Sequence, residues 1–346
     1  MRQRLVEEGL NSILISQPDN CRYLSGFAGS TGTLLISLDS AILLTDFRYL
    51  EQAKSQAPDF EVTRIRGEAR ERFLLELACE LGAKRLGFEA NNLCFTDYHH
   101  LKEEAEKLES QLIPTQGLVE SLRAVKGEEE INLLMKAVEL AEAALEYISG
   151  EIHPGMKEKE VAWEIERFLR ENGSEPLLFD IIVASGPNAA LPHAKPTERS
   201  LSRGEPIIID MGARIAGYTS DLTRTLCLDS PDATFSEVYE LVLDAQLTAI
   251  DQLEAGMSAE QVDGYARKII EQRGYKDAFG HGLGHGVGLA IHELPRLGPS
   301  SKDVLEENMV FTIEPGIYLS GWGGVRIEDM VLVENGKARV LSKVKK

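Results

Sequence analysis

One pattern in this chain is written twice, and no other feature restricts its fold as much. Residues 153–173 read HPGMKEKEVAWEIERFLRENG, and residues 254–274 read EAGMSAEQVDGYARKIIEQRG. Aligned without gaps, they share Gly155 with Gly256, Met156 with Met257, Val161 with Val262, and Gly173 with Gly274. Four identities in 21 positions carry little alone, but the features that follow keep the same order. A histidine in apolar surroundings comes next, LPHAKP at His193 and AIHELP at His292. Then comes a strand-like run closed by an acid and glycine, PIIIDMG at Asp210 and FTIEPG at Glu314. A further strand-like run follows with another acid, at Asp221 and at Glu328. Two similar halves would turn matched carboxylates towards one shared centre.

The part before this repeat reads as a separate α/β unit. Segments 12–16 (SILIS), 33–37 (TLLIS) and 41–45 (AILLT) are short, rich in Ile and Leu, and bounded by turn residues, the signature of strands. Between 68 and 81, Phe73, Leu74, Leu77 and Leu81 recur at helical spacing, and Gly82 follows as a stop signal. His99 and His100, beside Asp97 and Tyr98, read as a solvated helix start and not as a ligand set. From Glu128 a long helix is expected, with Ile131, Leu134, Val138, Ala141, Leu145 and Ile148 on one face. Glu128, Glu129 and Glu130 occupy its first turn, where carboxylates favour the helix dipole. The boundary therefore falls near 121–128, giving domains 1–122 and 123–346. A length of 346 residues suits two domains, and 43% hydrophobic content is ample for their cores.

Charge and cysteine usage narrow the class. With 37 basic against 56 acidic residues the net charge is −19, which argues against nucleic acid or an anionic membrane as partner. No apolar run has the length of a membrane span, and the segment after Met1 lacks the apolar stretch of a signal peptide. Cys21, Cys79, Cys94 and Cys227 are too far apart for a disulfide framework or a thiolate zinc site. A soluble, acidic, cytoplasmic protein is expected.

The acids carry the chemistry. Asp210 closes the run Ile207, Ile208, Ile209, and Glu314 closes Val310, Phe311, Thr312, Ile313, so both end strands that read as buried. Buried acids are costly unless paired, hydrogen-bonded or bound to metal. Asp221 lies in YTSDLTRTL, and a tight connection through Gly212 and Gly217 would put it in one hairpin with Asp210. Arg326 and Glu328, in GGVRIEDMVLV, would share one strand face. The run FGHGLGHGVGL adds imidazole, with glycines that allow close approach of main chain to a ligand. It matches no phosphate-cradling motif, His292-Glu293 is no zincin helix, and no nucleophile elbow is present. Four carboxylates in one pocket would repel, and two divalent cations would cancel their charge. Oxygen donors with one imidazole suit Mn²⁺, Co²⁺, Fe²⁺ or Zn²⁺, and a two-ion site can activate a water and polarise a carbonyl. The residues by themselves point to a dinuclear metallohydrolase and leave open which bond it cuts.

The ordered set PIIIDMG, YTSDLTRT, GHGLGHGVGLAIHE, TIEPGIY and GGVRIEDMVLV resembles the pita-bread metallopeptidases, the family of methionine aminopeptidase, aminopeptidase P and prolidase. The segments NCRYLSGFAGSTGT and TDFRYLEQA resemble the N-terminal domain of its proline-specific branch. The resemblance implies an α/β N-terminal domain followed by an α+β, creatinase/aminopeptidase-like catalytic domain whose duplicated halves are related by a pseudo-twofold. It implies Asp210, Asp221, His285, Glu314 and Glu328 as ligands of two divalent ions, Mn or Co ahead of Zn or Fe, with Asp221 and Glu328 bridging. It further implies that His193 and His292 line the substrate pocket and contact the reacting carbonyl, that Glu314 moves the proton of the attacking hydroxide's parent water, and that Arg326, beside the bridging Glu, belongs with the catalytic residues. The expected substrates are small peptides with proline second, cut by a metal-bridging hydroxide, and the expected assembly is a homodimer. A non-catalytic peptide-binding module and another dinuclear hydrolase stay open as other readings, as does the choice between dipeptides and longer chains.

Overall fold

The computed structural model describes residues 1–65 and 70–346, and these divide into two compact units, Met1–Leu122 and Arg123–Lys346. In the first unit, strands β1 (Ser12–Ile15), β2 (Thr33–Ser37), β3 (Ala41–Thr45), β4 (Glu61–Arg64), β5 (Arg85–Glu89) and β6 (Gln111–Thr115) form one sheet in the order β4-β3-β2-β1-β5-β6. β1 is antiparallel to β2 and parallel to β5, so the sheet is mixed. Helices cover both faces, because β1 and β2 are buried throughout and need apolar cover on each side. The helix expected over 68–81 is seen from Arg70 to Glu80, and residues 68 and 69 lie outside the described residues.

The second unit holds the repeat. Its first half comprises helices Glu128–Glu151 and Glu158–Glu171, followed by β7 (Ile182–Ser185), β8 (Pro206–Met211), β9 (Arg214–Ile215), β10 (Tyr218–Thr219) and β11 (Leu222–Cys227). Its second half comprises helices Ala233–Gln252 and Ala259–Gln272, followed by β12 (Gly284–Gly286), β13 (Glu293–Leu297), β14 (Val310–Ile313), β15 (Gly316–Leu319), β16 (Gly323–Arg326), β17 (Asp329–Glu334) and β18 (Lys337–Val340). The sheets are β11-β8-β7 and β13-β12-β14-β17-β18, with β9-β10 and β15-β16 as separate two-stranded ribbons.

The repeat aligned in the sequence is repeated in the backbone. Gly155 and Gly256 both adopt positive φ, 94° and 88°, which a side chain would resist. Gly155 N–H donates to Leu201 O at 2.9 Å, and Gly256 N–H to Leu305 O at 2.7 Å. Leu201 N–H returns to Met156 O at 2.8 Å, and Leu305 N–H to Met257 O at 2.9 Å. Val161, Ile165 and Leu169 in one helix and Val262, Ala266 and Ile270 in the other are buried at matched positions, each facing the core of its own half. Among the described residues, no helix is long and apolar enough to cross a membrane.

Candidate metal centre

Strand ends deliver the acids. Asp210 lies in β8 opposite Thr223 of β11, and Asp221 is the residue before β11. Side chains alternate along a strand, so Asp221, two before Thr223, falls on Asp210's side of the sheet. The single hairpin expected for these acids is interrupted. Residues between the strands fold out as the β9-β10 ribbon, turned at Ala216 and Gly217, both at positive φ, as a tight two-residue turn demands. Glu314 directly follows β14, and Glu328 lies in the break between β16 and β17. Arg326 and Glu328 therefore do not share one strand. The ladder changes partner between them, from β15 to β14.

His285 is the central residue of β12. The glycines around it serve strand packing more directly than ligand approach. A Cβ at Gly284 would lie 1.9 Å from Thr312 O, and one at Gly286 would lie 2.0 Å from Leu294 O. Asp210, Asp221, His285, Glu314 and Glu328 all line one cavity of about 410 Å³, together with His193, His281, His292, Tyr318 and Arg326.

The electrostatics of this cavity are unbalanced. Asp221 and Glu328 are almost completely buried. Burial, reinforced by the charge of Asp210, pushes the Asp221 carboxyl well above its usual range. Burial, reinforced by Asp221 and Glu314, does the same to Glu328. Glu314 goes the other way: burial would raise it, but the hydrogen-bonded and charged His285 ring outweighs burial and holds it at about 2. Burial opposes charge on His285 too, and Glu314 overcomes it, pushing the ring up to about 9. The ring's Nε2 lies 3.2 Å from Glu314 Oε1 and 3.7 Å from Asp221 Oδ2. Arg326 Nη2 donates to Asp210 Oδ2 at 2.6 Å, while Asp210 Oδ1 is buried with no hydrogen-bond partner among the described residues.

These features fit a divalent ion. A buried carboxylate oxygen without a donor is expensive, and a cation would satisfy Asp210 Oδ1. His285 Nδ1 donates to Gly286 O at 3.2 Å, because a carbonyl can only accept, so in the neutral ring Nε2 offers its lone pair to the acids' side. Asp221, His285 and Glu328 each present one donor atom, all within 4.8 Å of one another.

The two histidines of the repeat are placed differently from the ligand set. His193 and His292 are exposed where they line the cavity, and no hydrogen bond holds either ring among the described residues. That is unlike a core histidine tied to backbone. The His292 ring meets His285 edge-on, with centroids 4.3 Å apart. Burial, aided by His285, lowers the His292 pKa and so favours the neutral ring.

Sequence reasoning missed the residues that hold these groups in register. Tyr318 accepts from Arg326 Nη1 at 2.8 Å, and its hydroxyl lies 2.9 Å from His281 Nε2. His281 Nδ1 already donates to Gly282 O at 2.8 Å, so its Nε2 is taken by the phenol, while His285 keeps its own for the acids. Burial pushes the Tyr318 phenol up to about 12. Thr223 Oγ1 donates to Glu328 Oε2 at 2.6 Å, and Thr312 Oγ1 to Glu314 Oε1 at 3.1 Å. Beneath Glu328, buried Arg224 pairs with Asp329 at 2.7 Å and donates to Val344 O and Lys345 O, both at 3.1 Å. Tyr318 and Thr312 lie in the TIEPGIY segment and Thr223 in YTSDLTRT, but nothing in those segments alone says which acid each of them holds.

Residues 132–335 match Metallopeptidase family M24, and residues 1–125 match the Creatinase/Prolidase N-terminal domain. The chain belongs to metallopeptidase family M24. A Xaa-Pro dipeptidase from Pyrococcus furiosus is 37% identical over 341 residues, spanning 98% of this chain and 95% of the relative. The structure is similar to that of a Xaa-Pro dipeptidase from Bacillus anthracis, with a TM-score of 0.95, 41% identity, and 100% and 96% of the two chains covered. It is also similar to an X-Pro aminopeptidase from Thermotoga maritima, with a TM-score of 0.90, 36% identity, and 99% and 98% covered. The M24 unit thus has the pita-bread fold that the sequence implied, and membership in a metallopeptidase family makes divalent metal part of its chemistry.

Proposed function

We propose that this chain hydrolyses the peptide bond between an N-terminal residue and a following proline. Asp210, Asp221, His285, Glu314 and Glu328 would hold a pair of divalent ions, Mn²⁺ or Co²⁺ ahead of Zn²⁺ or Fe²⁺. The observation that carries the reading is the convergence of four buried or half-buried carboxylates and one imidazole on a single cavity, in a chain similar along its whole length to Xaa-Pro peptidases. When bound, such ions lower the pKa of a water at the site and polarise a peptide carbonyl.

The chain's own groups supply the rest. Glu314, whose Oε1 accepts from Thr312, would take the water's proton and deliver it to the departing proline nitrogen. His193 and His292, exposed to the cavity and with no ring hydrogen bond among the described residues, donate to the carbonyl oxygen as it gains charge. Arg326 neutralises one oxygen of Asp210 and fixes the Tyr318 hydroxyl. A prolyl bond suits such a site, because its nitrogen has no N–H for a peptidase to grip and its φ is fixed.

The test is metal removal. Stripped of metal by a chelator, the protein should lose cleavage of Xaa-Pro dipeptides, and Mn²⁺ or Co²⁺ should restore it. Full activity after verified stripping would refute the reading. Comparing Ala-Pro with a longer peptide carrying proline second separates dipeptidase from aminopeptidase P behaviour. The resemblance also supports a cytoplasmic homodimer, and light scattering of the purified chain checks the assembly.

A further inference from the structure

Of the buried carboxylates outside the ligand set, Glu158 and Glu293 each fasten a loop that carries one of the cavity histidines. We propose that Glu158 and Glu293 are positioning residues, Glu158 for His193 and Glu293 for His292, one in each half of the repeat. The proposal rests on the role given to those two histidines above.

Glu158 opens the helix Glu158–Glu171 and is completely out of water. Its Oε1 accepts from Ser185 N–H and Ser185 Oγ, both at 2.8 Å. Its Oε2 accepts from Thr197 N–H at 2.9 Å and Thr197 Oγ1 at 2.6 Å. Asn188 Nδ2 reaches both oxygens at 3.1 Å. Ser185 ends β7, Thr197 closes the loop that follows, and His193 lies between them. One carboxylate therefore clasps both ends of the His193 loop, using uncharged donors alone. A helix dipole needs only a solvated acid near its N-terminus; it does not call for burial against donors from so distant a loop.

Glu293 follows His292 directly and begins β13. Its Oε2 lies 2.5 Å from Arg123 Nη2 and its Oε1 lies 2.8 Å from Lys126 Nζ, with all three side chains buried. The cations are themselves fastened: Lys126 N–H donates to Asn308 O at 2.9 Å, and Val125 bridges to Met309 just before β14. The chain between β12 and β13 lies against this carboxylate so closely that a Cβ at Gly288 would be 2.4 Å from Glu293 Oε1.

The need for the clasps follows from the rings. Among the described residues no hydrogen bond fixes the His193 or His292 ring, so backbone placement sets where their nitrogens meet a substrate. A displacement of about 1 Å in such a group can cost about 10²-fold in rate.

Glu158→Gln is nearly isosteric but turns one acceptor oxygen into a donor, releasing one end of the loop. On a Xaa-Pro dipeptide it should lower kcat about tenfold, with KM within about twofold and metal content unchanged. The loss should vanish in a His193→Ala background and persist in full in a His292→Ala background. Glu293→Gln should show the reverse dependence. If it fails to fold, the triple variant R123M/K126M/E293L, which replaces the buried charges by apolar side chains, takes its place with the same expectation. Equal losses in both histidine backgrounds, or an unchanged kcat, would overturn the proposal.

A second arm is independent of activity. In the metal-free protein, Glu158→Gln should speed amide hydrogen exchange in residues 186–197 and leave 287–292 at wild-type rates. Wild-type exchange in both loops would also overturn the clasps. If the wild-type chain cleaves no Xaa-Pro peptide, the proposed function falls, and this exchange result still decides whether the clasps exist.

Discussion

Glu158 and Glu328 are both removed from water, yet their surroundings treat them in opposite ways. Glu158 accepts six hydrogen bonds from Ser185, Asn188 and Thr197. Among the described residues Glu328 accepts one, from Thr223, and faces the charges of Asp221, Glu314 and Asp210. A carboxylate with a full complement of donors is finished by the protein itself and holds a loop in place. One surrounded by its own kind raises the energy of the folded chain until a proton or a cation arrives. Burial of an acid is therefore uninformative until its partners are counted.

The sharpest way to break this contrast is at the unfinished acids. Asp221→Asn or Glu328→Gln should lower Xaa-Pro cleavage by at least about 10²-fold and reduce bound metal, both measurable on one preparation. Wild-type turnover and metal content in either variant would end the assignment. Glu314→Gln should come next, losing rate, at roughly 10²-fold or more, while metal is largely retained. A smaller effect separates the two kinds of acid by sign. In the metal-free protein, Glu328→Gln should raise the thermal midpoint, because a repelled charge is removed. Glu158→Gln should lower it, by about 1–3 kcal/mol for the donors left unpaired, or roughly 2–4 °C per kcal/mol.

The smallest effect lies in the first unit. Glu89 is buried and accepts from Ser16 N–H, Gln17 N–H and Asn20 Nδ2, but burial outweighs these bonds and raises its pKa above 4.5. A raised folded value means that its contribution is complete below about pH 4.5 and is lost as pH rises from there through the higher folded value. Glu89→Gln should flatten that slope, and thermal melts across the acidic range check it.

The sequence disclosed what depends on local rules. Gly155 and Gly256 stood out because a positive φ at matched points of a repeat demands glycine. Asp210 and Glu314 stood out because an acid closing an apolar strand has few explanations. What depends on partners distant in the chain stayed hidden. Glu158 reads as an ordinary first-turn acid, since its donors lie 27 to 39 residues away. Glu293 is separated from Arg123 by 170 residues. The interruption between Asp210 and Asp221, and the change of ladder between Arg326 and Glu328, also escaped alternation. Alternation tells which way a side chain points but not when a strand changes partner.

The Arg224–Asp329 pair reaches further than its own strands. Lys346 Nζ joins Asp329 at 2.5 Å and Gln246 Oε1 at 2.7 Å, while Arg224 grips the Val344 and Lys345 carbonyls. Residues 344–346 thus form a wedge directly under the strand that begins after Glu328. Any change that works this wedge loose is felt at the acid one residue upstream of that strand.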